Sequence, residues 1–96
     1  MYYVRTLRRI AALQRANQRA QDYLTRHNCD PAECIIVERI NDEIVELQWS
    51  IYAWWWGSTE GDHALRRMRE KQLSTACRLL ELDWCSTLED YRFFPA

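Results

Sequence analysis

One group of residues in this chain has side chains that can bind a metal ion, namely His27, Cys29, Cys34, Cys77 and Cys85. A zinc site needs four such ligands to converge on one point. The spacings Cys-x4-Cys and Cys-x7-Cys do not match those of zinc-binding cysteine pairs. We therefore expect no bound metal and no functional disulfide, and we interpret Cys34 and Cys77 as small core residues.

The residues that could support catalysis are scattered. His27 and His63 have no neighbouring Ser or Cys nucleophile at a special turn. Gly57 and Gly61 bracket a helix break and do not form a glycine-rich phosphate loop. The carboxylates of the middle of the chain are typical of a solvated acidic helix face. We therefore predict that the protein is not an enzyme and uses no cofactor.

Arginine supplies most of the basic charge. Two basic clusters could contact phosphate groups. The first consists of Arg5, Arg8 and Arg9, and the second consists of Arg66, Arg67, Arg69 and Lys71. Because tryptophan and tyrosine are available for base stacking, single-stranded nucleic acid is one possible partner. The simpler interpretation is that these are solvated helix faces that pair with acids. The net charge of −1 does not favour wholesale nucleic-acid binding.

Three helices must position these side chains. Apolar residues recur every three or four positions from about residue 3 to residue 27. Asp30, Pro31 and Glu33 form a capping-box pattern that predicts the start of a second helix, and Gly57 is its predicted C-terminal stop. A third helix is predicted from about His63 to Trp84, followed by a short turn capped by Ser86 and Glu89. The steps of three and four along the second helix predict an apolar seam, made of Val37, Ile40, Ile44, Leu47, Ile51 and Trp54.

No segment has the alternation of a strand, so the sequence predicts an all-α fold. We expect one helical domain over residues 1–96, a small three-helix bundle with a long antiparallel N-terminal helical hairpin and a short C-terminal helical turn. The seam of the second helix should pack on the first helix. The second helix is acidic and the first is basic, which favours the same pairing.

The second helix carries another apolar stripe on the side opposite its seam. Residues 48–56 read Gln-Trp-Ser-Ile-Tyr-Ala-Trp-Trp-Trp, so four of these nine residues are tryptophan. Val45, Trp49, Tyr52 and Trp56 share one side of the helix, about 150° from the seam. One hypothesis is that the third helix covers this stripe. The other is that the stripe contacts another protein or a second copy of the chain, because Trp and Tyr dominate interface hot spots.

An antiparallel hairpin should also bring the start of the first helix to the aromatic end of the second. The predicted partner-binding residues are therefore Val45, Trp49, Tyr52, Trp55, Trp56, Tyr2 and Tyr3. No apolar run has the length of a signal peptide or of a membrane span, so we expect a soluble cytoplasmic protein.

We find no family motif, but the chain resembles a broad group in its length and arginine-rich composition. These are the small helical proteins of phages and mobile elements that inhibit host or defence proteins stoichiometrically, such as anti-CRISPR proteins. The resemblance implies a non-enzymatic inhibitor that binds another protein, here through the aromatic face of the second helix. The alternatives are an arginine-rich nucleic-acid-binding or regulatory protein and a structural homo-oligomer.

Overall fold

A computed structural model of the chain describes residues 2–82, which fold into three α-helices without a β-strand in that range. The helices are α1 (Tyr2–Arg26), α2 (Ile35–Ser58) and α3 (His63–Leu79). The predicted all-α class is therefore confirmed. The predicted turn at Ser86 and Glu89 lies outside the described residues. Within the described part of the chain, no helix combines the length and the apolarity needed to cross a membrane.

The helices α1 and α2 pack along the predicted apolar seam. The pairing is antiparallel, since Tyr3 contacts Trp54 near one end and Asn17 donates a hydrogen bond to Asn41 further along. The seam residues of α2 either are buried or pack against the core, and they are Val37, Ile40, Ile44, Leu47, Ile51 and Trp54. The residues of α1 that face them include Leu7, Ile10 and Leu13, which are all buried. Hydrophobic burial along this seam holds the hairpin together.

One exposed ion pair joins the two helices of the hairpin. Arg9 donates from Nε and Nη2 to the same carboxylate oxygen of Glu43, at 3.1 and 3.0 Å. Both side chains are largely solvated, so the pair contributes less than about 1 kcal/mol. The opposite charges of α1 and α2 therefore favour the observed pairing, but the apolar seam determines it.

A backbone motif ends α1. Asn28 takes a positive φ of 57°, and the Cys29 amide donates to the carbonyl of Leu24 at 2.8 Å. The Asn28 amide donates to the carbonyl of Thr25, which completes a Schellman motif. Asparagine tolerates this left-handed conformation better than most residues. The first helix therefore stops one residue before the predicted His27.

The start of α2 lies further along the chain than the capping box predicts. Asp30 does act as an N-cap, because its carboxylate accepts a hydrogen bond from the Ala32 amide at 2.9 Å. However, the cap serves a 3-10 turn at Pro31–Glu33, and α2 begins only at Ile35. The cause is Cys34, whose extended backbone, with φ −88° and ψ 118°, separates the two segments.

The boundaries of α2 and α3 also differ from the predicted ones. Gly57 remains helical, and the positive φ of 77° belongs to Gly61 in the connection to α3. Asp62 then caps α3, since its carboxylate accepts a hydrogen bond from the Leu65 amide at 3.0 Å. The prediction that α3 extends to Trp84 is wrong, because the helix ends at Leu79.

A second Schellman motif, built without glycine, ends α3. Glu81 adopts φ 55°, and the Leu82 amide donates to the carbonyl of Cys77 at 2.9 Å. The turn directs Leu82 into the core, where Leu73 and Cys77 of α3 are also buried. Cys77 is thus a core residue as predicted, whereas Cys34 is only half-buried.

The assignment of the seam predicts opposite effects of truncation at two neighbouring positions of α2. Ile44 is 7% exposed and Val45 is 54% exposed. Ile44→Ala should lower the free energy of unfolding by about 2–5 kcal/mol, because it removes buried methylene groups and leaves a cavity. Val45→Ala, the matched control, should change it by no more than about 0.5 kcal/mol. Urea denaturation followed by circular dichroism measures both, and equal losses would contradict the seam.

Candidate partner-binding surface

The C-terminal half of α2 carries a row of exposed apolar side chains on the side that faces away from α1. Val45, Trp49 and Trp56 are 54%, 42% and 41% exposed. Their spacing of four and then seven residues places them on one side of the helix. We call these three residues the aromatic surface. Large apolar side chains that remain this exposed in a row mark a contact site more often than isolated ones do.

The other aromatic residues predicted for this site lie elsewhere. Tyr52 and Trp55 are 7% and 4% exposed, so they belong to the core. Tyr3 stacks on Trp54 at a centroid distance of 5.4 Å, as the antiparallel hairpin predicts. The side chain of Tyr2 lies outside the described part of the structure. The consecutive tryptophans thus take three environments: Trp54 is half-buried against α1, Trp55 lies in the core and Trp56 is exposed.

A stack of rings connects the two exposed tryptophans. Tyr52 lies 5.5 Å from Trp49 and 6.1 Å from Trp56, with interplanar angles of 28° and 17°. Offset stacking at these distances is favourable beyond the area that it buries. Because the central Tyr52 is buried, it supports both exposed rings from one side. The aromatic surface is therefore held in place before any partner arrives.

The buried Trp55 joins α2 to the first turn of α3. Its indole Nε1 donates a hydrogen bond to the carbonyl of Arg66 at 3.1 Å. This partner satisfies the polar atom of an otherwise apolar side chain, which burial requires. Thr59, which is 1% exposed, donates from its hydroxyl to the carbonyl of Trp55 at 2.6 Å.

Arg66 fixes the exposed ring of Trp56. Its guanidinium carbon lies 3.7 Å from the centroid of the Trp56 ring, which is close for a cation–π contact. Its Nε also donates to the Thr59 hydroxyl oxygen at 3.0 Å. The positive charge therefore lies at the C-terminal end of α2, where the helix dipole favours it.

Arg69 makes a similar contact one turn later. Its Nη1 donates to the Ser58 hydroxyl oxygen at 2.6 Å, and its guanidinium carbon lies 5.1 Å from the Trp54 ring centroid. The sequence had suggested Arg66 and Arg69 for phosphate contacts. In the structure they contact tryptophans and the end of α2, whereas Arg67 is exposed. In the sequence, Arg66 and Trp56 are 10 residues apart and Arg69 and Trp54 are 15 apart, across the predicted break at Gly57 and Gly61. That closeness along the chain was the only sequence signal for these contacts.

The exposed face of α2 is not uniform in charge. Glu38 and Asp42 are exposed on the same side as the aromatic surface, toward the N-terminal end of α2. At the other end, Trp56 shares a shallow surface cavity with Arg66, Arg67, His63 and one acid, Glu70. The face therefore changes from acidic to apolar to basic along the helix.

The residues considered for a metal site differ in burial. Cys29 is exposed, Cys34 is half-buried and Cys77 is buried. His27 stacks against Tyr23 at a centroid distance of 4.3 Å. Within residues 2–82, no group of three or more His, Cys, Asp or Glu side chains is arranged to hold a metal ion. Cys85 lies outside the described residues, so the absence of zinc stays a prediction.

No protein-family model matches the sequence, and no curated protein or solved structure is significantly similar to it.

The contacts of Arg66 predict that this arginine stabilises the fold. Arg66→Ala should lower the free energy of unfolding by about 1–3 kcal/mol, because it removes a close cation–π contact and charge-assisted hydrogen bonds. Arg66→Lys should restore only part of the loss, since an ammonium lacks the planar fork. Thermal melts measure the change, with tryptophan fluorescence as a local probe.

The exposed neighbour Arg67 provides the control for this series. Arg67→Ala should leave the melting temperature nearly unchanged. If Arg66→Ala also left the melting temperature unchanged, Arg66 would not hold α3 against the end of α2.

Proposed function

We propose that this protein is a non-enzymatic protein-binding module whose contact surface is the aromatic surface of Val45, Trp49 and Trp56. The observation that carries the proposal is the exposure of Trp49 and Trp56, at 42% and 41%, on the side of α2 opposite its packed seam. Tryptophan is the residue most enriched among interface hot spots. An exposed pair with a valine beside it is a surface that loses water favourably when a partner covers it.

The supports beneath the aromatic surface favour binding over incidental exposure. Tyr52 stacks on both tryptophans, and Arg66 covers one face of Trp56. Side chains that are already ordered lose little rotamer freedom when they bind. A partner would thus meet a rigid ridge on a helix, which is the arrangement that gives a precise contact.

The kind of activity that we propose is stoichiometric occupation of a partner's surface. A helix face that binds a protein can block that protein without any catalytic group. The small size and the arginine-rich composition shared with phage and mobile-element inhibitors make a host or defence protein one candidate occupant of this surface, and a second copy of the chain is the other. Protein binding by the aromatic surface is the function that we infer for the chain, and its occupant is argued below.

Truncation of Trp49 tests the proposed function. Because Trp49 is 42% exposed, Trp49→Ala should leave the helix content intact and lower the free energy of unfolding by about 1 kcal/mol, through the loss of its stacking on Tyr52. Affinity for the partner should fall by about 2 kcal/mol or more, the loss expected at a hot spot. Circular dichroism melts measure the first effect. Titration of the protein captured from the source cells, or of the chain with itself, measures the second.

Leu79→Ala is the matched control, since Leu79 is a large apolar residue of α3 that is 80% exposed and is not part of the aromatic surface. It should preserve both fold and affinity. A Trp49→Ala variant that lost its helix content along with its binding would show that Trp49 belongs to the core. One that kept every association would remove the aromatic surface from the function.

The exposed arginines of α1 support a second candidate, nucleic-acid binding. Arg5 and Arg8 are exposed, and the described contacts of Arg9 are with Glu43. Basic side chains on a solvated helix face contact phosphates in nucleic-acid-binding proteins. The same cluster is equally explained as a solvated face, and Arg66 and Arg69 are engaged with tryptophan. We therefore place this function second.

Gel shifts with duplex and single-stranded DNA and RNA separate the two candidates. We expect no tight complex at physiological salt. Submicromolar binding that weakens steeply with salt, and that Arg5→Ala/Arg8→Ala/Arg9→Ala abolishes, would bring nucleic acid into first place. The charge-preserving variant with lysine at the same three positions is the control, because it retains phosphate contacts but not stacking.

A further inference from the structure

We propose that the partner on the aromatic surface is a second copy of this chain, with the two α2 helices antiparallel about a two-fold axis between Val45 and Trp49. The inference rests on the proposed function, since it uses the same surface and names the occupant. The order of charges along α2 favours this pairing. That order is self-complementary in the antiparallel arrangement only.

The exposed face of α2 has an acidic end and a basic end. Glu38 and Asp42 are exposed at the N-terminal end. The guanidinium of Arg66 lies over Trp56 at the C-terminal end, and the exposed Arg67 lines the same shallow cavity. The one acid of that cavity, Glu70, offsets part of the positive charge. The apolar side chains of Val45 and Trp49 lie between the two ends.

The spacing of these residues is symmetric about the middle of the helix. The midpoint between Val45 and Trp49 is position 47, and both Glu38 and Trp56 lie nine residues from it. At about 1.5 Å per residue, each is about 13.5 Å from the axis. A two-fold axis at that midpoint therefore places Glu38 of one copy opposite Trp56 of the other. The Arg66 and Arg67 side chains beside that ring are the cations that would meet the acids.

A two-fold contact of this kind uses the same patch on both subunits, as isologous dimers require. In the antiparallel contact, the acidic end of each copy faces the basic end of the other copy. A parallel arrangement would instead place acid against acid and arginine against arginine, which is costly. An unrelated partner of uniform charge would be attracted at one end and repelled at the other. The face is thus a better complement to itself than to such a partner.

Sedimentation of the purified full-length chain from low micromolar to millimolar concentration tests the inference. We expect a monomer that becomes a dimer as the concentration rises. The dimer should weaken with added salt, because exposed charge pairs are screened. Trp49→Ala should shift the dissociation constant upward by about thirtyfold or more, because both copies lose the side chain, whereas Leu79→Ala should leave it unchanged.

Two charge-reversal variants, each tested alone, distinguish the antiparallel arrangement from the parallel one. The first is Glu38→Arg/Asp42→Arg, and the second is Arg67→Glu. Each variant alone should dimerise less than the native chain, because like charges then meet at both ends. An equimolar mixture of the two should form a heterodimer again, since the reversed acidic end of one meets the reversed basic end of the other. Circular dichroism confirms that both variants remain folded.

Specific results would overturn the inference. A native chain that stays monomeric throughout the concentration range excludes self-pairing. The effect of Trp49→Ala on binding to the captured protein would then decide the proposed function. A dimer that Trp49→Ala leaves intact uses another surface. A dimer that salt strengthens, and that Glu38→Arg/Asp42→Arg does not weaken, is not antiparallel.

Discussion

The apolar seam between α1 and α2 is the constraint on which the rest of this structure depends. Successive side chains of an α-helix point in directions about 100° apart. Burying one side of the helix therefore fixes the direction of all its other side chains. The complete burial of Ile51 against α1 therefore determines that Trp49 and Trp56 face away from the hairpin. The exposure of these two tryptophans therefore follows from the packing of the core.

The position of α3 then divides the remaining aromatic residues between core and surface. Its first turn accepts the hydrogen bond of Trp55 and places the guanidinium of Arg66 over Trp56. The side of α2 near Trp55 and Tyr52 is covered, while the side with Val45 and Trp49 stays exposed. One short connection thus creates both the buried end of the core and the basic end of the contact surface. The proposed function and the proposed dimer both follow from this division.

The sequence predicted the features that depend on periodicity along one helix. The seam from Val37 to Trp54 follows from steps of three and four, and the contact between Tyr3 and Trp54 follows from an antiparallel hairpin. It did not predict the end of α3, because Glu81 takes a left-handed conformation that glycine usually signals. Nor did it place the start of α2 correctly, since the extended Cys34 interrupts an otherwise good capping pattern.

The candidate site was predicted only in part, because periodicity along α2 does not show which of its residues α3 covers. Helical spacing put Tyr52 on the same stripe as Trp49 and Trp56, but Tyr52 lies about 60° from Trp49 around the helix, on the edge nearer the core. Which edge α3 covers depends on the turn between α2 and α3, and periodicity contains no information about that turn. The contacts of Arg66 and Arg69 with tryptophan depend on the same turn.

The central claim is that Trp49 and Trp56 are exposed in the single chain and become covered when it associates. Hydroxyl-radical footprinting with mass spectrometry measures the reactivity of each tryptophan, and the buried Trp55 serves as the internal standard. At the dilution where the chain is monomeric, Trp49 and Trp56 should be oxidised much faster than Trp55. Both should become protected as the complex forms. Protection of Trp49 in the monomer, or full reactivity of both tryptophans in the complex, would contradict the account.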